Sequence, residues 1–61
     1  MDPLRHRLTV EATRLFVERG FDGTSMREIA DACRVTKAAL YYHFPSKADL
    51  LLDIVHAYLD T

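Results

Sequence analysis

Sixty-one residues with a mass of 7.0 kDa allow one small domain and exclude a multidomain enzyme. Hydrophobic residues form 49% of the chain and charged residues 28%, a composition that is typical of a folded protein and excludes a disordered segment. The net charge is -1, so the total charge gives no reason to expect a nucleic-acid partner. The lone Cys33 excludes an internal disulfide, and the three isolated histidines lack the spacing of a structural zinc site, so we predict no metal and no cofactor.

No apolar run approaches the length of a membrane span, and the residues after Met1 lack the layout of a signal peptide. The sequence therefore predicts a cytoplasmic protein.

Apolar residues recur at spacings of three and four, with no sustained alternation of period two. This pattern predicts an all-α fold.

The first helix is predicted over residues 3–19. Asp2 can cap its free amides, and Pro3 loses no hydrogen bond at the first helical position. Gly20 is expected to end the helix as a left-handed residue, with Phe21 folding back on the last turn. The apolar stripe of this helix comprises Leu4, Leu8, Ala12, Leu15 and Phe16.

A second, short helix is predicted over residues 25–33. Ser25 and Glu28 fit a capping box, in which each side chain satisfies the backbone amide of the other, and Thr24 is the competing cap. Residues at positions i, i+3, i+4 and i+7 are apolar and are expected to face the core: Met26, Ile29, Ala30 and Cys33.

The third helix is predicted over residues 36–44. Thr36 is its expected cap, and Pro45 ends it because proline disfavours helical geometry in the preceding residue. Its Leu40 is the expected centre of the inward face.

A fourth helix is predicted to open at Ser46, with Asp49 three residues later, and to continue to residue 60. Its apolar residues sweep about half of the circumference, more than three neighbouring helices of so small a domain can cover: Leu50, Leu51, Ile54, Val55, Tyr58 and Leu59. Since Thr61 follows without a cap or turn, we expect an N-terminal piece of a longer protein, or a piece that needs a partner.

Two short helices joined by Arg34-Val35 match a helix-turn-helix over about residues 25–44, in which the second helix lies in the DNA major groove. On the third helix, Ala38 and Tyr42 are expected to point away from the core, flanked by Ala39 and Tyr41. Small and aromatic side chains are unusual on a solvated face but suit groove contact. The alternative is that the rest of the protein covers both tyrosines.

The near-neutral total charge conceals an uneven distribution. Residues 32–48 contain three basic residues and no acidic one, whereas the chain from residue 49 onward contains three acidic residues and no basic one. The basic stretch therefore lies on the proposed recognition element, where Arg34, Lys37 and Lys47 can neutralise phosphates.

Three runs of residues carry a family resemblance: TSMREIA at 24–30, VTK at 35–37, and LYYHFPSK at 40–47 followed by Leu50-Leu51. They resemble the N-terminal DNA-binding domain of the tetracycline-repressor (TetR) family of bacterial transcriptional regulators. The resemblance covers essentially the whole chain. It implies a homeodomain-like helical bundle over residues 1–46, with residues 47–61 forming the start of a helix that leads to a C-terminal domain.

The resemblance further implies a homodimeric repressor that binds palindromic operator DNA and is released when its C-terminal domain binds a small-molecule effector. The DNA-binding positions that it implies in this chain are Ser25, Arg27, Thr36, Lys37, Ala38, Ala39, Tyr41, Tyr42, His43 and Lys47. Two of these have other interpretations, since His43 could be a packing residue at the edge of the core and Lys47 a solvated lysine.

Two residues depart from the family pattern. Arg34 stands where the family usually has Gly, so a positive φ there would cost on the order of 1 kcal/mol, which a phosphate contact could offset. Ala38 stands where Gly is frequent and adds a methyl group near the groove floor.

Cys33 continues the apolar stripe of the second helix, which favours a core residue over a redox switch.

A second functional hypothesis is a protein-interaction module that uses the apolar face of the helix over residues 47–60. An enzyme has no support, because the sequence contains no Gly-rich phosphate loop, nucleophile-base pair or metal cluster.

Overall fold

The computed structural model describes residues 2–59, and these residues form four α-helices and no strand. The helices are α1 (Pro3–Arg19), α2 (Met26–Cys33), α3 (Lys37–His43) and α4 (Lys47–Leu59). The all-α prediction is confirmed, and the predicted bounds of the first three helices are correct to within one residue. Residue 60, the predicted end of α4, lies outside the described residues. No helix within residues 2–59 has the length and apolar character that a membrane span requires.

Polar caps fix the starts of α1 and α2. The Oδ1 atom of Asp2 accepts hydrogen bonds from the amides of Leu4 at 3.1 Å and Arg5 at 3.3 Å. Ser25 and Glu28 form the predicted capping box, with both side chain to backbone bonds at 3.1 Å. Because each cap satisfies amides that lack a partner within the helix, the starts are set by local sequence.

The starts of α3 and α4 follow the same rule. Thr36 Oγ1 accepts a hydrogen bond from the amide of Ala39 at 3.1 Å, and Ser46 Oγ accepts one from the amide of Asp49 at 3.2 Å. The hydroxyl of Ser46 also donates to Asp49 Oδ2 at 2.8 Å. Both predicted caps are confirmed.

Thr24 is not a cap. Its side chain is buried, and its hydroxyl donates toward the carbonyls of Gly20 at 2.9 Å and Leu15 at 3.2 Å. The sequence offered Ser25 and Thr24 as caps for α2, and the cap is Ser25. Thr24 instead donates to carbonyls at the end of α1.

The prediction of a left-handed residue at Gly20 is wrong in detail. Its φ of 81° is positive, but its ψ of 161° lies outside the left-handed helical region, so Gly20 ends α1 in a different conformation that glycine readily adopts. Phe21 folds back as predicted, with its ring centroid 5.3 Å from that of Phe16. At Gly23 a side chain is excluded, because a Cβ atom would overlap the carbonyl oxygen of Arg19.

The core joins all four helices. α1 packs against α2 and α4, and α2 packs against α3. The buried apolar residues are Leu8, Ala12, Leu15, Met26, Ile29, Ala30, Cys33, Leu40, Phe44, Leu50 and Ile54. In α3 the predicted inward residue, Leu40, is completely buried, and Phe44 lies beside it. The short helix α3 is thus held by one face, and its other face is left outside the bundle.

The turn between α2 and α3 is a Schellman motif. The amide of Arg34 bonds to the carbonyl of Asp31 at 3.1 Å, and the amide of Val35 bonds to the carbonyl of Ala30 at 3.0 Å. Arg34 has φ 57° and ψ 44°, so it occupies the left-handed region in which glycine is preferred. A residue with a side chain costs about 1–2 kcal/mol there.

Candidate nucleic-acid interface

The outward face of α3 carries aromatic and small side chains. Tyr42 is 85% exposed and Tyr41 is 43% exposed, whereas the preceding residue, Leu40, is buried. Ala38 is exposed one turn before Tyr42, as predicted from the helical period. Within residues 2–59 neither tyrosine hydroxyl has a hydrogen-bond partner, so both can bond to an external group.

The start of α3 adds a charged and a polar side chain to this face. Lys37 is exposed and makes no hydrogen bond or ion pair with the described part of the chain. Thr36 uses its oxygen as an acceptor for the amide of Ala39, which leaves the hydroxyl hydrogen available to a second partner. Ala39 itself is half-buried, between the outward and inward faces.

The start of α2 contributes two more of the predicted residues. Ser25 is exposed, and its oxygen accepts from the amide of Glu28, so its hydroxyl hydrogen is also available. Arg27 is exposed in the first turn and has no partner among residues 2–59. A cation and a hydroxyl group therefore project from the helix that precedes the turn.

His43 packs at the edge of the core. Its side chain is only 13% exposed, and its Nε2 atom lies 3.5 Å from Asp2 Oδ2. Its ring makes an edge contact with the ring of Tyr42 at a centroid distance of 5.2 Å. The packing interpretation is confirmed, and contact between His43 and DNA stays a prediction.

Lys47 is tied into the protein. Its Nζ atom donates to the carbonyls of Phe21 at 2.5 Å and Thr24 at 2.9 Å, and it lies 4.2 Å from the centroid of the Phe21 ring. The interpretation as a merely solvated lysine is wrong, because the ammonium group joins α4 to the loop between α1 and α2. An ammonium group has three protons, and two carbonyls accept two of them, so one proton remains available to a phosphate. Contact between Lys47 and DNA stays a prediction.

The basic residues divide into two groups, and all eight lie within residues 2–59. Five of them bond to acidic side chains or backbone carbonyls of this chain: Arg5, Arg7, Arg14, Arg19 and Lys47. The other three make no hydrogen bond or ion pair through their side chains with the described residues, and all belong to α2, the turn or α3: Arg27, Arg34 and Lys37. The available positive charge thus lies on the helix-turn-helix.

Cys33 is a core residue. Its side chain is buried, and its Sγ atom lies 3.7 Å from the carbonyl oxygen of Arg7. Burial raises the pKa of the thiol, and the nearby charge of Glu11 raises it further, while Arg7 acts in the opposite direction. A buried thiol that stays protonated is a poor nucleophile, so the structure favours the packing role over a redox switch.

Sequence reasoning missed Arg5, which links α1 to α4 and to the end of α3. Its guanidinium donates to Asp53 on α4 at 2.8 Å and to the carbonyl of His43 at 3.4 Å, and it lies 4.5 Å from the centroid of the Phe44 ring. Its hydrogen-bond partners are 38 and 48 residues away along the chain. No local pattern in the sequence signals contacts over such a separation.

Comparison with known proteins identifies relatives of this chain. The family model described as bacterial regulatory proteins of the tetR family matches residues 8–54. The chain is 43% identical over 49 residues to the HTH-type transcriptional repressor KstR2 of Rhodococcus jostii, covering 80% of the chain and 24% of that protein. It is 41% identical over 59 residues to the HTH-type transcriptional activator FasR of Mycolicibacterium smegmatis, covering 97% of the chain and 27% of that protein.

A solved structure agrees with these sequence relatives. The fold superimposes on the crystal structure of apo AibR with a TM-score of 0.80 and 49% sequence identity, covering 93% of this chain and 31% of that one. The chain therefore spans about a quarter of the length of both curated relatives and about a third of the solved one.

Proposed function

The chain belongs to the tetR family of bacterial regulatory proteins, and on that premise we propose that it reads a specific operator sequence by placing α3 in the major groove. It is a helix-turn-helix transcriptional regulator and not an enzyme. The observation that carries the proposal is the outward face of α3, where exposed tyrosine hydroxyls without partners stand beside alanines and uncommitted basic side chains.

Each proposed contact follows from the chemistry of the side chain. Lys37 and the methyl groups of Ala38 and Ala39 face base edges, where an alanine methyl packs against the methyl of thymine. Tyr41 and Tyr42 donate to phosphate oxygens at the edges of the groove. The remaining backbone contacts are assigned to Ser25, Arg27, Thr36, His43 and Lys47.

The proposal includes a dimer and a C-terminal domain. Leu52, Val55 and Leu59 share one face of α4 and are 40–75% exposed, which is an apolar surface that a further domain would cover. The much greater length of the relatives supports such a domain. A symmetric dimer would present two copies of α3 about one turn of DNA apart, so the operator is expected to be palindromic.

We assign the protein the role of a repressor that a small-molecule effector bound in the C-terminal domain releases from DNA in the bacterial cytoplasm. The relative KstR2 carries the name of a repressor, and FasR carries that of an activator. A reporter gene placed behind the operator distinguishes repression from activation. Deletion of a repressor raises expression of the reporter, and deletion of an activator lowers it.

Selection from a random pool of duplex DNA tests the proposal directly. The full-length protein should enrich one sequence with two half-sites related by twofold symmetry. A pool that shows no enrichment after repeated rounds would overturn sequence-specific binding. An asymmetric enriched site would overturn the symmetric dimer but not the DNA-binding function.

The exposed face of α4 supports one other candidate, a module that binds another protein. That function requires binding that is insensitive to salt and to added DNA, because apolar burial is not screened by ions. A gel-shift titration with the selected duplex and with a random duplex of the same length separates the two. DNA binding that weakens steeply with salt favours the regulator.

A further inference from the structure

Arg34 occupies a backbone position that does not suit it. The Schellman turn after α2 requires a left-handed residue, and Arg34 adopts φ 57° and ψ 44° to fill it. It is the one residue other than glycine with a positive φ among residues 2–59. Glycine would adopt this conformation without a steric penalty, so an arginine here needs a reason outside the geometry of the turn.

The described part of the chain provides no such reason. The side chain of Arg34 is exposed and makes no hydrogen bond, ion pair or ring contact with residues 2–59. Asp31 lies three residues earlier and is also exposed, yet the two do not form an ion pair. The guanidinium group of Arg34 therefore has no partner among residues 2–59, although the backbone of the same residue is strained.

The position of this free group indicates its partner. In the sequence Arg34 lies between the other two uncommitted cations, Arg27 on α2 and Lys37 on α3. Lys37 is three positions further along the chain than Arg34, so their Cα atoms are at most about 11 Å apart. On one strand of duplex DNA a phosphate occurs about every 3.4 Å along the helix axis, so cations at this separation can bind nearby phosphates.

We propose that Arg34 anchors the helix-turn-helix to the DNA backbone, with its guanidinium binding a phosphate in a bidentate manner. The inference rests on the DNA-binding function proposed above and adds a contact beyond those assigned there. The planar fork of arginine matches two phosphate oxygens, and the contact is independent of base sequence. The turn thereby contributes affinity, while the outward face of α3 contributes specificity.

The experiment compares Arg34→Gly, Arg34→Lys and wild type in the full-length protein. The probes are the duplex enriched from the random pool and an unrelated duplex of equal length, titrated between about 50 and 200 mM salt. Arg14→Ala is the control for loss of a positive charge, because Arg14 is exposed on α1 and paired with Glu11 and Glu18. Thermal unfolding without DNA reports the strain separately.

Arg34→Gly should raise the Tm, since glycine relieves the left-handed strain, and yet weaken binding to both duplexes by roughly three- to tenfold at low salt. The slope of log affinity against log salt should become shallower by about 0.9 for each bound protomer. Arg34→Lys should retain that slope, and Arg14→Ala should leave it unchanged.

Three results overturn the inference. If Arg34→Gly raises the Tm but binds both duplexes with the affinity and slope of wild type, Arg34 is only a strained turn residue, and the regulator function stands. A loss confined to the enriched duplex would assign Arg34 to a base instead of a phosphate. If wild type enriches no sequence from the pool and does not bind the unrelated duplex, the DNA-binding function fails and this inference fails with it.

Discussion

The scaffold formed by α1 and α4 and the helix-turn-helix segment over residues 26–43 use their basic side chains in opposite ways. Each of the five cations on the scaffold bonds to an acidic side chain or a carbonyl of this chain, whereas none of the three cations on the segment has such a partner among residues 2–59. Cations without partners remain free to neutralise phosphates. The difference shows that a net charge of -1 is compatible with unpaired cations on one segment, because the net charge does not depend on which charged side chains have partners.

Arg14 illustrates the scaffold. It lies on α1 between Glu11 at 2.8 Å and Glu18 at 2.7 Å, and these carboxylates, Glu11 first, raise the pKa of its guanidinium. Lys37 on α3 is the contrasting case, since it is exposed and unpaired. The charge of Arg14 is already paired with carboxylates of this chain, whereas the charge of Lys37 has no such partner and is available to a phosphate.

The largest effect is expected from removing a buried side chain of the segment from the core. Leu40→Ala removes a completely buried side chain from the inward face of α3, which should lower the free energy of unfolding by about 2–5 kcal/mol. Urea denaturation measures the loss. Tyr42→Ala on the outward face is the control and should cost less than about 0.5 kcal/mol. Equal losses would show that the two faces of α3 are assigned wrongly.

The two lysines provide the most direct test of the comparison. Lys47→Met removes a cation bonded to two carbonyls, so it should lower the free energy of unfolding by about 1.5–3 kcal/mol. Lys37→Met removes an unpaired cation and should change that free energy by less than about 0.5 kcal/mol. Denaturant unfolding of both variants gives the result, and a larger loss for Lys37→Met would reverse the comparison.

A third test separates DNA contact from exposure alone. Tyr42→Ala should weaken binding to the enriched duplex about tenfold, or roughly 1.4 kcal/mol, because it removes a hydrogen bond to a charged phosphate. Val17→Ala is the matched control, since Val17 is 81% exposed on the scaffold and Tyr42 is 85% exposed on the segment. Titration by fluorescence anisotropy measures both affinities. The assignment fails if the two variants bind DNA equally well.

The smallest effect concerns Cys33, where the segment meets the scaffold. Burial raises the pKa of its thiol above the ordinary value of 9.0, so the folded state keeps the proton that the unfolded state loses as the pH rises. The contribution of the thiol to the free energy of unfolding is therefore fully present below the pKa of the unfolded state. It declines above that pKa, by less than about 1 kcal/mol up to pH 9. Denaturation at several pH values should show this decline in wild type and not in Cys33→Ala; a parallel pH profile would contradict it.

The sequence by itself determined the helices of this protein. Asp2, Ser25, Thr36 and Ser46 cap amides within three residues of themselves, so the starts of all four helices follow from local chemistry. The helical period likewise placed Leu40 inward and Tyr42 outward. Residue types at fixed spacing are sufficient for both predictions, since neither depends on a distant part of the chain.

Only the tertiary structure decided which charges remain available. Lys47 bonds to carbonyls 26 and 23 residues away, and Arg7 bonds to the carbonyl of Cys33 26 residues away. The sequence placed Lys47 with Arg34 in one basic stretch, but the fold turns its ammonium onto the loop before α2 and leaves Arg27 free instead. A side chain's charge is fixed by its type, whereas its partner depends on packing between helices distant in sequence.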